Sequence, residues 1–209
     1  METFEVPTPH GPARVHLHVP EAPRSLLVLG HGAGGGVDAP DLVRVRDIAL
    51  AEELSVALVE QPYRVAGRRG PAPARQLDAA WTAVVAHLRE DAPTLPLVTG
   101  GRSSGARVAC RTAAVTGAAA VLGLAFPLLP PRRKGAAEPP SRLPELDQVT
   151  VPVLIVQGAR DPFGMPPPGP ARRVVEVAGD HALKADLDAV ASAVRSWLAD
   201  VVGPAGPPA

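Results

Sequence analysis

The feature that most constrains this chain is a serine between two glycines, at the junction of a predicted strand and a predicted helix. Gly101, Ser103 and Gly105 form the pattern Gly-x-Ser-x-Gly, after the apolar residues 97–99 and before a segment rich in Ala and Val. This strand, turn and helix context is the one that a nucleophile elbow requires. So tight a turn leaves no room for side chains two residues before and after the serine, which gives both glycines a steric role. Ser103 is therefore the candidate nucleophile.

The length and composition of the chain predict one α/β domain. At 209 residues it can bury a single core, and we expect residues 1–202 to form that domain. The Gly- and Pro-rich residues 203–209 are expected to be a disordered tail. Hydrophobic residues make up 46% of the chain but aromatic residues only 3%, so Ala, Val and Leu must build the core. Such a core is common in parallel sheets covered by helices.

Predicted strands and helices alternate along the chain. Apolar or alternating runs predict strands near residues 13–19, 25–29, 55–59, 97–99, 118–126, 151–156 and 172–177. Helical spacing predicts helices near residues 38–53, 74–90 and 186–202 and one directly after Ser103, the first of them opened by Asp38 and Pro40. This order predicts a three-layer α/β fold with a mostly parallel sheet and helices on both faces. No insertion is long enough for a lid domain.

Charge, cysteine content and hydropathy predict no nucleic acid, membrane, metal or cofactor as a partner. Basic and acidic residues number 21 each, which gives no electrostatic reason to bind nucleic acid or a membrane surface. The single Cys110 cannot form a disulfide framework or a Cys-rich zinc site, and His16 and His18 have no third ligand nearby. The N-terminal residues lack the features of a secretory signal, and Gly and Pro interrupt the longest uncharged run, residues 112–131. We therefore expect a cytoplasmic protein with no transmembrane segment.

A glycine-rich loop at residues 30–36 follows the second predicted strand. Its sequence, Gly-His-Gly-Ala-Gly-Gly-Gly, lacks the spacing of a phosphate loop or a dinucleotide fingerprint. Backbone N–H groups of Ala33 or Gly34, together with that of Ser104, would form an oxyanion hole, and Gly32 would permit their close approach. A glycine-rich turn without chemistry is the alternative.

Candidate partners for Ser103 stand at the ends of two later strands. Asp161 follows the strand at residues 151–156 in a Gly/Pro turn, and His181 follows the strand at residues 172–177. There the aspartate could orient the histidine, although a turn aspartate that binds its own backbone is the usual alternative. Asp180 is the rival acid, but adjacent side chains point apart in most loops.

Two further residues are candidates for lining a pocket. Tyr63 and Arg64 follow the predicted strand at residues 55–59. Because the carboxyl ends of parallel strands face the ligand crevice, both could contact a substrate. A solvated loop is the alternative interpretation.

These motifs together resemble small α/β-hydrolases. The chain looks similar to dienelactone hydrolases and, more closely, to the hydrolase-like group that includes testis-expressed and nonspecific-lethal-complex proteins. The matching pieces lie at residues 31–34, 100–107, 157–164 and 179–183. The resemblance implies an α/β-hydrolase fold and a triad of Ser103, Asp161 and His181. One departure is the proline-rich stretch at residues 165–171, which cannot form the helix that usually follows the acid, so we expect a thin wall behind Asp161.

Two functions from different classes follow from the sequence. The first is a serine hydrolase that cleaves a small-molecule carboxylic ester or thioester through an acyl-enzyme on Ser103. The second is a non-catalytic α/β-hydrolase-fold interaction module, which predicts Ser103 and His181 out of hydrogen-bond reach. A nucleotide-binding protein is a distant third.

Overall fold

An eight-stranded sheet runs through the middle of the molecule. The computed structural model describes residues 1–130 and 139–203. The strands are β1 (Glu2–Val6), β2 (Ala13–His18), β3 (Ser25–Gly30), β4 (Leu54–Glu60), β5 (Leu97–Arg102), β6 (Ala120–Leu124), β7 (Val153–Gly158) and β8 (Arg172–Val177). Their order across the sheet is β1-β2-β4-β3-β5-β6-β7-β8. Strands β3 to β8 are parallel, and β1 and β2 form an antiparallel edge beside β4.

Helices cover both faces of this sheet. They are α1 (Pro40–Ala51), α2 (Pro62–Val65), α3 (Ala74–Asp91), α4 (Ser104–Thr116), α5 (Leu143–Asp147) and α6 (Leu187–Val202). Side chains of α1 and α6 build one core, and those of α3, α4 and α5 build the other. Alternate residues of β3 serve the two cores, since Leu26 and Val28 face one and Leu27 and Leu29 the other. The predicted three-layer α/β fold is confirmed.

The parallel strands place their carboxyl ends at one edge of the sheet. The loops after β3, β5, β7 and β8 therefore meet there, although they are far apart in sequence. No lid domain covers this edge in the described parts of the chain. No described helix combines the length and the apolar character that crossing a bilayer requires.

Some local expectations differ from the structure. The sequence patterns do not predict strand β1, which is largely polar, or the helices α2 and α5, which have only four and five residues. Helix α1 begins at Pro40, with Ala39 as its N-cap and no side-chain cap, so Asp38 does not open it. The predicted tail at residues 203–209 lies outside the described residues except for Gly203.

Candidate active site

Ser103 occupies a sharp turn between β5 and α4. Its backbone has φ 52° and ψ −107°, a conformation that is uncommon for a residue with a side chain. Such a conformation costs on the order of 1–3 kcal/mol and persists only where the surroundings fix it. Here the Ser103 N–H donates to the Leu124 carbonyl at 2.9 Å, and the Ser103 carbonyl accepts from the Arg107 N–H at 3.2 Å. The turn holds the serine at the carboxyl edge of the sheet.

The glycines around this turn are required for steric reasons. A Cβ at either Gly101 or Gly105 would collide with the carbonyl of Gly30, at the end of the neighbouring strand β3. A Cβ at Gly32 would lie 3.0 Å from Nη1 of Arg102 and 3.6 Å from the Cβ of Ser103. The absence of side chains therefore lets the glycine-rich loop and the elbow pack backbone against backbone.

His181 joins Ser103 to Asp161 through two hydrogen bonds. Its Nε2 lies 3.0 Å from the Ser103 Oγ, and its Nδ1 lies 2.8 Å from Oδ2 of Asp161. An ionised carboxylate only accepts hydrogen bonds, so Nδ1 carries the proton and Nε2 accepts from the serine hydroxyl. The ring of Phe163 packs edge-to-face on the imidazole, with centroids 4.6 Å apart. The geometry is that of a nucleophile hydrogen-bonded to a base that an acid orients.

Asp161 is enclosed more tightly than its proline-rich surroundings suggest. Its side chain is only 1% exposed. Oδ1 accepts from the Phe163 N–H at 2.9 Å, and Oδ2 accepts from Nε2 of Gln157 at 2.8 Å. Residues 165–171 form no helix, as predicted, but the expected thin wall is wrong because Gln157 and Phe163 close the site. Asp180 instead accepts from the Ala182 N–H in its own turn at 2.9 Å.

His31 is a structural part of the glycine-rich loop. Its Nε2 accepts from the Gln61 N–H at 3.1 Å, and its Nδ1–H donates to the Gly32 carbonyl at 2.8 Å. Because Nε2 accepts a hydrogen bond, the imidazole must be neutral, with its proton on Nδ1. Burial lowers the pKa of His31, which the hydrogen bond to Gly32 opposes, so the ring favours that neutral form. His31 therefore fixes the path of the loop from beneath.

Three backbone N–H groups beside the cavity at Ser103 are candidates for an oxyanion hole. Within the described residues, those of Ala33, Gly34 and Ser104 donate to no protein acceptor, and all three residues line the cavity at Ser103. The hydroxyl of Tyr63 donates to the Ala33 carbonyl at 2.9 Å, which fixes the far side of that peptide. The glycine-rich loop and the first residue of α4 thus present N–H groups without described protein acceptors on residues that line the cavity, and their role as an oxyanion hole stays a prediction.

An open cavity of about 600 Å³ surrounds Ser103 and His181. Its described lining also includes residues from four loops, from α4 and from the end of β5, namely Gly35, Pro71, Arg102, Arg107, Pro127, Arg142 and Phe163. Tyr63 does not line it but lines a separate cavity of about 250 Å³ with Gln61. Arg64 lines neither cavity, so the structure places neither residue at the cavity of Ser103, and their contact with a substrate stays a prediction. Tyr63 contacts the glycine-rich loop through its hydroxyl, which donates to the Ala33 carbonyl.

Arg102 forms a buried ion pair that sequence reasoning missed. Its Nε donates to Oδ2 of Asp41 at 2.9 Å, and its Nη2 donates to the main-chain carbonyl of His181 at 2.7 Å. The Asp41 side chain is fully buried, and this burial raises its pKa, although the Arg102 guanidinium opposes the shift. No motif identified Asp41, which is an ordinary acidic residue in the first turn of α1. Gln157 was missed for the same reason, as a single polar residue that ends an apolar strand.

A second charged cluster, formed by side chains of α3, α4 and α5, reaches the cavity through Arg107. Glu145 accepts two hydrogen bonds from Arg107, at 2.6 and 2.8 Å, and one from Arg111 at 3.2 Å. Burial tends to raise the pKa of Glu145, but these two guanidinium groups outweigh it and hold the pKa below its ordinary value. Arg111 also forms a two-point pair with Asp78, at 2.6 and 2.8 Å. The cluster ties α3, α4 and α5 together.

Among the described residues, no group of three or more His, Cys, Asp or Glu side chains could hold a metal ion. Cys110 is buried in α4, and burial raises the pKa of its thiol to about 12. The thiol therefore stays protonated and unreactive at neutral pH.

Comparisons with known proteins point to one family and one fold. The family described as an alpha/beta hydrolase domain matches residues 23–186. No curated protein sequence matches the chain. An alpha-beta serine hydrolase homologue from Coxiella burnetii is 18% identical, with a TM-score of 0.75 over 94% of this chain and 97% of its own.

Two more solved structures agree. An α/β serine hydrolase without lid from Xanthomonas campestris is 18% identical, with a TM-score of 0.77 over 99% of this chain and 96% of its own. A dienelactone hydrolase from Anabaena variabilis is 17% identical, with a TM-score of 0.74 over 96% of this chain and 97% of its own. At these identities the similarity concerns the fold alone.

Proposed function

Since the chain belongs to the alpha/beta hydrolase domain family, which matches residues 23–186, we propose that it is a serine hydrolase for carboxylic esters or thioesters. The observation that carries this proposal is the hydrogen-bonded series from Ser103 through His181 to Asp161, with distances of 3.0 and 2.8 Å. The series lies on a cavity that free backbone donors also line. The finer resemblance, to the group of testis-expressed and nonspecific-lethal-complex proteins, stays a prediction, as does the cytoplasmic location.

In the first half of the reaction the serine attacks the carbonyl carbon of the substrate. Nε2 of His181 accepts the Ser103 hydroxyl proton while Oγ forms a bond to that carbon. The carbonyl π-electron pair moves to the oxygen, where the N–H groups of Ser104 and of Ala33 or Gly34 stabilise the negative charge. The C–O or C–S bond then breaks, and the imidazolium returns its proton to the departing alcohol or thiol. An acyl-enzyme on Ser103 remains.

In the second half of the reaction, a water molecule attacks the acyl-enzyme and His181 again acts first as a base and then as an acid. His181 removes a proton from a water molecule, whose oxygen attacks the acyl carbon, and the bond to Ser103 Oγ breaks. The proton returns to Oγ, and the carboxylic acid leaves. Asp161 fixes the imidazole tautomer throughout and stabilises its cation. Its burial and its two other hydrogen bonds keep it from moving during the proton transfers.

A specific observation speaks against the non-catalytic alternative. An interaction module does not require a hydrogen bond between Ser103 and His181. The alternative predicts these two side chains out of reach, whereas they lie 3.0 Å apart. Nothing in the described residues favours nucleotide binding.

Steady-state hydrolysis of p-nitrophenyl acetate and of S-phenyl thioacetate tests the proposal. We expect Ser103→Ala to lower kcat by on the order of 10³-fold or more. Ser196→Ala, which removes an exposed hydroxyl on α6, is the matched control and should retain the wild-type rate. Equal rates for Ser103→Ala and the wild type would overturn the proposal.

A further inference from the structure

The arginines around the cavity at Ser103 differ in how their charges are compensated. Arg102 is paired with the buried carboxylate of Asp41. Arg107 directs Nε and Nη2, the side of the guanidinium that matches a carboxylate, at the two oxygens of Glu145. Both of these arginines line the cavity, and both already have an anionic partner.

The cluster of Arg107, Arg111, Asp78 and Glu145 contains two cations and two anions, and Arg142 nearby adds a third cation. Arg111 uses its own Nε and Nη2 on Asp78 and reaches Glu145 with Nη1. Glu145 and Asp78 therefore serve the paired guanidinium groups of Arg107 and Arg111. Among the described residues, no carboxylate then remains to pair with the guanidinium of Arg142, which also lines the cavity.

Within the described parts of the chain, Arg142 has one side-chain hydrogen bond, and its acceptor is a neutral group. Its Nη1 donates to the Pro127 carbonyl at 3.0 Å, while Nε and Nη2 have no acceptor within the described residues. Burial, followed by the charge of Arg107, lowers the pKa of Arg142, and Glu145 only partly opposes this. The cation is therefore held where the protein itself stabilises it poorly. An anion from outside would remove that deficit.

We infer that the substrate carries a free carboxylate and that Arg142 binds it in the cavity at Ser103. The unused Nε and Nη2 of Arg142 offer the planar, two-point geometry that a carboxylate accepts. No Asp or Glu side chain is among the described residues that line the cavity, so nothing there would repel such a group. The inference rests on the proposed hydrolase function and names its substrate class: esters or thioesters that bear a carboxylate, such as monoesters of dicarboxylic acids.

Matched substrates separate this inference from the function on which it rests. The probes are the mono-p-nitrophenyl esters of succinic, glutaric and adipic acid, each compared with its neutral methyl-capped counterpart. We expect the wild type to show a kcat/KM at least tenfold higher for the best free acid than for its capped form. A wild-type enzyme that cleaves each capped ester as fast as its free acid would overturn the inference and leave the hydrolase function intact.

Variants assign that preference to one side chain. Arg142→Gln should reduce the free-acid to capped-ester ratio to about 1, and Arg142→Lys should retain part of it through charge alone. Arg195→Gln removes an equal charge from exposed α6 and should keep the wild-type ratio. Both rates in the ratio are measured on the same protein, so a lower fraction of folded protein reduces them equally and leaves the ratio unchanged. Arg142→Gln with an unchanged ratio would contradict the assignment.

A binding measurement covers the case in which no ester is turned over. Glutarate should protect Ser103 from a fluorophosphonate probe in the wild type at concentrations at least tenfold below those that Arg142→Gln requires. Equal protection in both proteins would overturn the inference. Absence of any labelling would instead overturn the hydrolase function and the inference with it.

Discussion

Arg102, the residue between Gly101 and Ser103, donates from Nη2 to the main-chain carbonyl of His181 at 2.7 Å. The same guanidinium donates from Nε to Asp41, at the start of α1. One side chain thus joins the nucleophile turn, the loop of the base and the helix that follows the glycine-rich loop. The separation of Ser103 and His181 depends on this connection as well as on their own hydrogen bond.

Loss of Arg102 should therefore affect both stability and rate. Arg102→Gln leaves the fully buried carboxylate of Asp41 without its cation, which costs about 3–5 kcal/mol in comparable buried pairs. For a chain of this length that corresponds to a Tm lower by roughly 6–20 °C. Thermal unfolding measures this, and kcat below the transition should also fall because the His181 loop is released. Arg46→Gln, which breaks an exposed pair with Asp47, should cost no more than about 1 kcal/mol. Equal Tm losses in the two variants would contradict this role.

Asp161 and Asp180 should differ sharply when each is replaced by Asn. Oδ1 and Oδ2 of Asp161 both accept hydrogen bonds, so an Asn amide must direct its NH₂ group at a donor in either orientation. We expect Asp161→Asn to lower kcat by on the order of 10⁴-fold, since the histidine loses its orienting acid. Asp180→Asn, whose side chain only caps a turn, should stay within about threefold of the wild type in the same assay, consistent with a small turn contribution. If Asp180→Asn lowered kcat more than Asp161→Asn, Asp180 and not Asp161 would be the acid that orients His181.

Backbone contact at the elbow predicts a contrast between two glycines. Gly105→Ala would place a Cβ against the Gly30 carbonyl, with no flexible side chain able to move aside. We expect it to lower the free energy of unfolding by more than about 3 kcal/mol, or to prevent folding. Gly35→Ala meets no atom within 4 Å and should be nearly neutral. Urea unfolding of both variants tests the difference, and similar stabilities would show that the elbow can open.

The sequence alone predicts the parts of the protein that depend on strand patterns or on a short motif. Ser103 and Asp161 each follow a buried strand, His181 follows the more polar strand β8, and parallel strands bring their carboxyl ends together. The Gly-x-Ser-x-Gly spacing reflects a close backbone contact with Gly30, because only glycine fits at positions 101 and 105. For this reason the fold and the nucleophile turn could be predicted from one chain.

The residues that escaped prediction act through long-range side-chain contacts. Asp41 and Arg102 are 61 positions apart, and Arg107 and Glu145 are 38 positions apart. Nothing in the local pattern distinguishes a charged residue that will be buried in a pair from one that will face solvent. Tyr63 illustrates the converse: its position after a strand predicts a contact with the substrate, whereas its hydroxyl donates to the Ala33 carbonyl and the residue lines a separate cavity.

His31 predicts an acid-sensitive contribution to stability. Burial holds its pKa below the ordinary 6.5, so the unfolded chain binds a proton more readily than the folded protein does. The contribution is therefore complete above about pH 6.5 and is lost as pH falls from there towards the folded-state pKa, with a slope of at most about 1.4 kcal/mol per pH unit. Urea unfolding between pH 8 and 5 should show this slope in the wild type. In His31→Gln, which still offers an acceptor to the Gln61 N–H, the slope should be reduced. Identical pH dependence in both proteins would contradict the assignment.

Ser103 should react as a nucleophile that His181 activates. Mass spectrometry after incubation with a fluorophosphonate probe detects this reactivity. We expect one phosphonyl group per chain, located on Ser103, and labelling slower by on the order of 10³-fold or more in His181→Ala, because that variant lacks the general base. A protein that stays unlabelled, or that carries the adduct on another residue, would show that Ser103 is not an activated nucleophile.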